Sequence, residues 1–171
     1  MTDHRFVYVA QPVDLRDDSA SEIDSHLLQV NLRIAQELGH AICAPLFHPA
    51  RAWEVVPVTP PTDALQTANL AVLRQASLLV VAISSHPSVG TIQEVVQAQN
   101  WGIPVAINTT QSLLDRSWSL QSLITGPRTC LGAALRDEFN DEHLSNDAAM
   151  RIATREILTR LQIDQPNGEE N

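Results

Sequence analysis

The segment that most constrains the fold is LLVVAI, Leu78–Ile83: six apolar residues in a row, bounded by Ser77 and by the polar turn SSHPSVG at 84–90. A run this short and continuous suits a strand covered on both faces, and helix-like segments stand on either side of it. RFVYVAQP at Arg5–Pro12 reads as a first strand, ended by its proline. Ile23, Leu27, Val30, Ile34 and Leu38 follow at spacings of four, three, four and four, an amphipathic helix that Gly39 can close. AICAPLF at 41–47 reads as a second strand. Trp53–Pro61 is a proline-rich loop, and a helix is expected from Thr62 or Asp63 to about Gln75. After the Leu78–Ile83 strand come a helix from about Ile92 to Asn100 with Gly102 behind it, and the strand PVAIN at Pro104–Asn108. The expected fold is therefore α/β: one Rossmann-like, flavodoxin-like domain over 1–163, with a mostly parallel sheet, right-handed crossovers and helices on both faces. Leu113–Leu123 reads as helical, Asp141–Leu161 as a closing helix, and 164–171 as a frayed polar tail.

A chain of 171 residues has room for one such core. Met1–Arg5 is polar and the following apolar run is too short for a secretory leader. No run approaches the roughly 20 apolar residues that span a bilayer, so a cytoplasmic protein without membrane contact is expected. Cys43 and Cys130 lack ligand spacing and read as buried thiols, and the histidines show no shared spacing, so neither metal nor cofactor is expected. There is no lysine, the eleven arginines are scattered, and the net charge is −9. Nothing there displaces counterions from a nucleic-acid backbone, which leaves a small molecule as the expected partner.

In parallel α/β sheets ligands bind beyond the carboxyl ends of the strands. AQPVDLRDD and SSHPSVGTIQE both fall at such ends. The second has one glycine and no Gly-Lys-Ser/Thr, so it matches neither the dinucleotide nor the P-loop fingerprint. Its amides and the hydroxyls of Ser84, Ser85 and Ser88 can still cradle an anion. Glu94 admits two readings: an acid placed for chemistry, or the last member of a capping box whose first is Thr91.

The blocks VYVAQP, FHPARAW, ANLAVLRQASLLVVAI and PSVGTIQEVVQAQNWGIPVAI resemble the nucleoside 2-deoxyribosyltransferase superfamily over roughly the first 110 residues. The closest likeness in motif is to nucleoside 5′-monophosphate N-glycosidases that act on CMP and hydroxymethyl-CMP. The resemblance implies that Glu94 is the nucleophile attacking the anomeric carbon, with Tyr8 beside the sugar. It also implies that Ser88, standing where nucleoside-using members carry an aspartate, faces a 5′-phosphate. Gln11, Arg16, His48, Arg51, Trp53, Ser84 and Gly90 are the further candidates for binding substrate. The expected activity is hydrolysis of the base–sugar bond through a glycosyl-enzyme intermediate, with sugar transfer between bases as its variant. Two departures stand out. Asn69 occupies the position of a customary carboxylate, and Gln11 that of a small glycine. An amide cannot donate a proton as an acid, and Asp63 lies roughly 240° around the helix from Asn69, so a non-catalytic nucleotide-binding module is the alternative. A phosphoribohydrolase is a third possibility, since VGTIQE resembles its Gly-Thr-x-x-Glu loop, without the preceding Gly-Gly. Relatives complete their pocket from a second subunit, and the stripe Met150, Ala153, Ile157 and Leu161 is apolar; a homodimer or larger homo-oligomer is expected.

Overall fold

A computed structural model describes residues 6–10, 30–33, 41–43, 62–83, 89–135, 155, 157 and 159–161. Among the described residues five strands form one sheet: β1 (Phe6–Ala10), β2 (Ala41–Cys43), β3 (Leu78–Ile83), β4 (Val105–Thr110) and β5 (Thr129–Leu135). Their spatial order is β2-β1-β3-β4-β5 and every pairing is parallel. That is the flavodoxin-like order, which reverses direction between β1 and β3 and opens a crevice there beyond the carboxyl ends of the strands. The described helices are α1 (Thr62–Leu73), α2 (Val89–Asn100), α3 (Gln111–Arg116) and α4 (Trp118–Ile124), with helical backbone also at 30–33 and at 155, 157 and 159–161.

Side-chain alternation divides the core into two layers. On one face Tyr8, Ala10, Leu79, Val81, Ile83, Val105 and Ile107 pack against Leu73 of α1, Val95 and Ala98 of α2, and Leu120 of α4. On the other, Val7, Val9, Leu78, Val80, Ala82 and Ala106 are as deeply buried, and Val30, Ile157 and Leu161 are buried with them. All six residues of β3 are buried, which is why its sequence shows no polar alternation. The stripe read as surplus apolar surface is thus in part accounted for within one chain: Ile157 and Leu161 are 1% and 3% exposed. They carry no argument for a subunit interface.

Several boundaries differ from the sequence reading, each for a local reason. The α2 helix begins at Val89, three residues before the expected start. It ends as the sequence implies: Gly102 takes φ 71°, its N–H donates to the Gln99 carbonyl, and the Ile103 N–H donates to the Ala98 carbonyl. This is the paired closure that a glycine in the left-handed region permits. The expected helix Leu113–Leu123 is two helices, because Ser117 is extended (φ −107°, ψ 99°), closes α3, and caps α4 by accepting from the Leu120 N–H. Thr110 caps α3 in the same way through Leu113. Strand β5 was not anticipated. Its sequence, TCLGAAL, is rich in small residues, and the strand bulges so that Ile107 pairs with Leu131 while Asn108 pairs with Ala133. Gly132 is the residue skipped. A Cβ there would come within 2.4 Å of Asn108 Oδ1, so the Asn108 side chain occupies the space that a larger residue needs.

Candidate active site

Tyr8 lies in the middle of β1 and Glu94 in the first half of α2, 86 residues apart, and the fold brings them together between β1 and the helix that follows β3. The Tyr8 hydroxyl donates a 2.7 Å hydrogen bond to Glu94 Oε1. Both side chains are buried, Tyr8 at 1% and Glu94 at 6% exposure. Their meeting follows from two periods. Residue alternation turns Tyr8 toward the α2 side of the sheet, and helical spacing turns Glu94 to the same inward face as Thr91, Val95 and Ala98. The capping-box reading of Thr91 and Glu94 does not hold, because α2 has already begun at Val89. Thr91 is inside the helix, and the Glu94 carboxylate meets Tyr8.

Burial dominates the electrostatics of this acid. Removal from water penalises the charged form and pushes Glu94 from 4.5 up to about 7, against the opposing pull of the Tyr8 hydrogen bond, which favours the ionised form. A carboxylate at that value exchanges between charged and neutral near neutral pH, and when ionised it is poorly solvated. Weak solvation and a fixed orientation make a competent nucleophile or general base.

The other expected residues divide into those the structure describes and those it does not. Asn69 is half-buried on the inward side of α1, the helix next to α2, and Gly90 is half-buried in the first turn of α2. Gln11, Arg16, His48, Arg51, Trp53, Ser84 and Ser88 lie outside the described residues. Trp101 follows α2 at the amino-end side of the sheet, where it is 36% exposed and the Arg74 guanidinium stands 5.7 Å from its ring centroid. That position is remote from the crevice and suits packing. Cys130 is buried. Among the described residues no three His, Cys, Asp or Glu side chains converge to hold a metal ion, and no helix is long and apolar enough to cross a membrane.

Three amides with buried polar atoms had no signal in the sequence reading. On the face away from Glu94, Asn108 Nδ2 donates to Asn31 Oδ1, and Asn31 Nδ2 donates at 3.2 Å to the Ala10 carbonyl, the last of β1. Both asparagines are fully buried. On α1, Gln66 Nε2 is buried with no hydrogen-bond partner. Asn108 was legible only as the end of a strand pattern, and Gln66 would have stood out from its position three residues before Asn69.

No protein-family model matches the chain, and no curated protein matches it in sequence. Solved structures do share its fold. BlsM aligns over 98% of this chain and 99% of its own, with 18% identity and a TM-score of 0.62. An oxidoreductase from Corynebacterium diphtheriae covers 94% and 99%, at 15% identity and 0.57. The Clostridium botulinum CMP N-glycosidase BcmB covers 83% and 98%, at 12% identity and 0.52. The chain thus has a parallel α/β fold of flavodoxin-like strand order, shared with BlsM and BcmB. One of these neighbours is described as an oxidoreductase, so the fold leaves the activity to be argued from the site.

Proposed function

We propose that the chain is an N-glycosidase that hydrolyses the base–sugar bond of a nucleoside 5′-monophosphate, with Glu94 as nucleophile. The observation that carries this reading is the buried Tyr8–Glu94 pair: one carboxylate, oriented by a 2.7 Å hydrogen bond, on the helix that follows the carboxyl end of β3 in a flavodoxin-like sheet. The fold likeness to a CMP N-glycosidase and the resemblance of the PSVGTIQE segment favour the same chemistry.

An ionised Glu94 oxygen bonds to the anomeric carbon as the carbon–nitrogen bond breaks, and the bonding pair leaves with the base, which takes a proton from solvent. The carboxylate offsets the positive charge that develops on the sugar ring. Water then attacks the anomeric carbon of the ester, the carbon–oxygen bond to Glu94 breaks, and the water's surplus proton returns to solvent. Tyr8 positions the carboxylate and holds it toward its charged form. Asn69 contributes hydrogen bonds but no acidic proton. Ser88 donates to the phosphate, where an aspartate would repel it, and remote binding of that dianion helps to set the sugar over Glu94. Because the nucleophile must be ionised, turnover rises with pH through about 7 on its acid limb.

A second reading, a nucleotide-binding module without turnover, is favoured by the amide at position 69. Chromatography of wild-type reactions with a panel of nucleosides and their 5′-monophosphates separates the two. Free base released chiefly from monophosphates is the expected outcome. Nucleotide binding without any free base would leave the binding module, and neither binding nor release would overturn both.

A further inference from the structure

Over residues 66–73, helix α1 turns Gln66, Asn69, Leu70 and Leu73 inward, the first three partly buried and Leu73 fully, whereas Thr67, Ala68, Ala71 and Val72 face solvent. The stripe changes character along its length. Its last turn is apolar and joins the core with Val95 and Ala98 of α2, but its first half is two carboxamides. Chain direction decides which end of the sheet they reach. Leu73 leads through Ala76 and Ser77 into the amino end of β3, so Gln66, about 10 Å back along the axis at 1.5 Å per residue, lies toward the carboxyl ends. That is the end and the face on which Glu94 and Tyr8 meet.

Gln66 Nε2 is enclosed there without a partner, and buried donors in folded proteins are nearly always paired. An unpaired buried group lowers the stability of the free protein; the other such atom, Asn108 Oδ1, lies against Gly132 on the opposite face, whereas Gln66 stands on the face of Glu94. We propose that Gln66 determines specificity in this site, its Nε2 donating to an acceptor on the bound nucleoside moiety that is absent from the free protein. This rests on the glycosidase or nucleotide-binding reading of the crevice. Asn69, one turn further on, lines the same inward stripe, so the two amides form a neutral, hydrogen-bonding wall on α1 opposite the acidic chemistry of α2.

The test compares Gln66→Met, which keeps length and volume but removes the donor, with the parent chain. Calorimetry in a Glu94→Gln background keeps the nucleotide intact while CMP, UMP, dCMP, AMP and GMP are titrated, and thermal unfolding is followed without ligand. The expected result is an affinity loss of about tenfold or more, the scale of one buried hydrogen bond. Unliganded Tm should stay level or rise by roughly 2–4 °C, because an unpaired donor has been removed. A loss that differs between bases assigns the acceptor to the base, and an equal loss across the panel assigns it to the sugar. Unchanged affinity for the nucleotides that the parent binds would overturn the proposal, as would a lowered Tm with affinity intact. Failure of the Glu94→Gln parent and of wild type to bind any nucleotide would instead overturn the reading of the crevice.

Discussion

The two faces of the sheet each bury a polar pair, and they do so in different chemical terms. On the α1/α2 face a carboxylate meets a phenol, in a pair whose charge changes near neutral pH. On the opposite face two asparagines link β4, the helical residues 30–33 and the end of β1 through amides that never ionise. Both pairs are deeply buried and both span long stretches of sequence. A neutral amide chain fixes strand ends without any charge to desolvate, at the cost here of one buried acceptor, Asn108 Oδ1, that has no partner. A buried acid is costly whenever it is charged, and such a cost is characteristic of sites where chemistry occurs. The contrast separates architecture from function in a fold that by itself specifies neither substrate nor reaction.

The largest expected effect tests the functional side of that contrast. Glu94→Gln retains the size and the acceptor for Tyr8 but not the charge, and base release should fall by about 10³-fold or more in a chromatographic assay, with the circular dichroism spectrum unchanged. Release at the wild-type rate would make Glu94 another structural group, like Asn108.

The same substitution sharpens the contrast through stability. The folded-state value of Glu94, about 7, lies above the ordinary 4.5, so the protonated form is the one the fold favours. The resulting stabilisation is fully present below pH 4.5 and is lost as pH rises through 7. At about 1.4 kcal/mol per pH unit of displacement, the loss is on the order of 3 kcal/mol. Denaturant titrations at pH 5 and pH 8 should therefore show wild type weakening relative to Glu94→Gln. Parallel behaviour of the two proteins would mean that the buried acid is already compensated.

On the other face, Asn108→Ala leaves Asn31 Oδ1 buried without its donor, and a cavity beside Gly132. Unfolding free energy should drop by about 2 to 3 kcal/mol, equally at pH 5 and pH 8, since no proton is involved. A cost that grows with pH would break the distinction between the faces. The smallest effect belongs to Tyr8→Phe. Removing the hydroxyl takes away the influence that lowers the Glu94 value, so the acid limb of the pH–rate profile should move up by about one unit, with roughly fivefold slower turnover at pH 7. An unmoved limb would separate Tyr8 from the titration of Glu94.

How far the sequence disclosed this depends on how distinctive each local pattern is. Leu78–Ile83 was legible because a strand buried on both faces has no polar interruption, and the end of α2 was legible because Gly102 has a conformational reason to be there. Strand β5 was not, since three alanines and glycines in TCLGAAL dilute the β-branched signal and the bulge at Gly132 breaks the alternation. Glu94 and Tyr8 were found through motif resemblance, whereas their direct hydrogen bond depends on two periods meeting in space. The buried amides were missed for a physical reason. A lone Asn or Gln in a helical stretch has the same local pattern whether it faces solvent or the core, and only packing decides between them.

The most direct measurement of the central claim looks for the covalent bond itself. Wild-type protein is incubated with a 2-fluorinated nucleoside 5′-monophosphate, whose electron-withdrawing fluorine slows hydrolysis of the glycosyl ester, then quenched with acid and digested for peptide mass spectrometry. A Glu94 nucleophile gives a fluorosugar-phosphate increment on the peptide containing Glu94, with one equivalent of base released. Base release with the increment on a different residue, or undiminished release by Glu94→Ala, would contradict it.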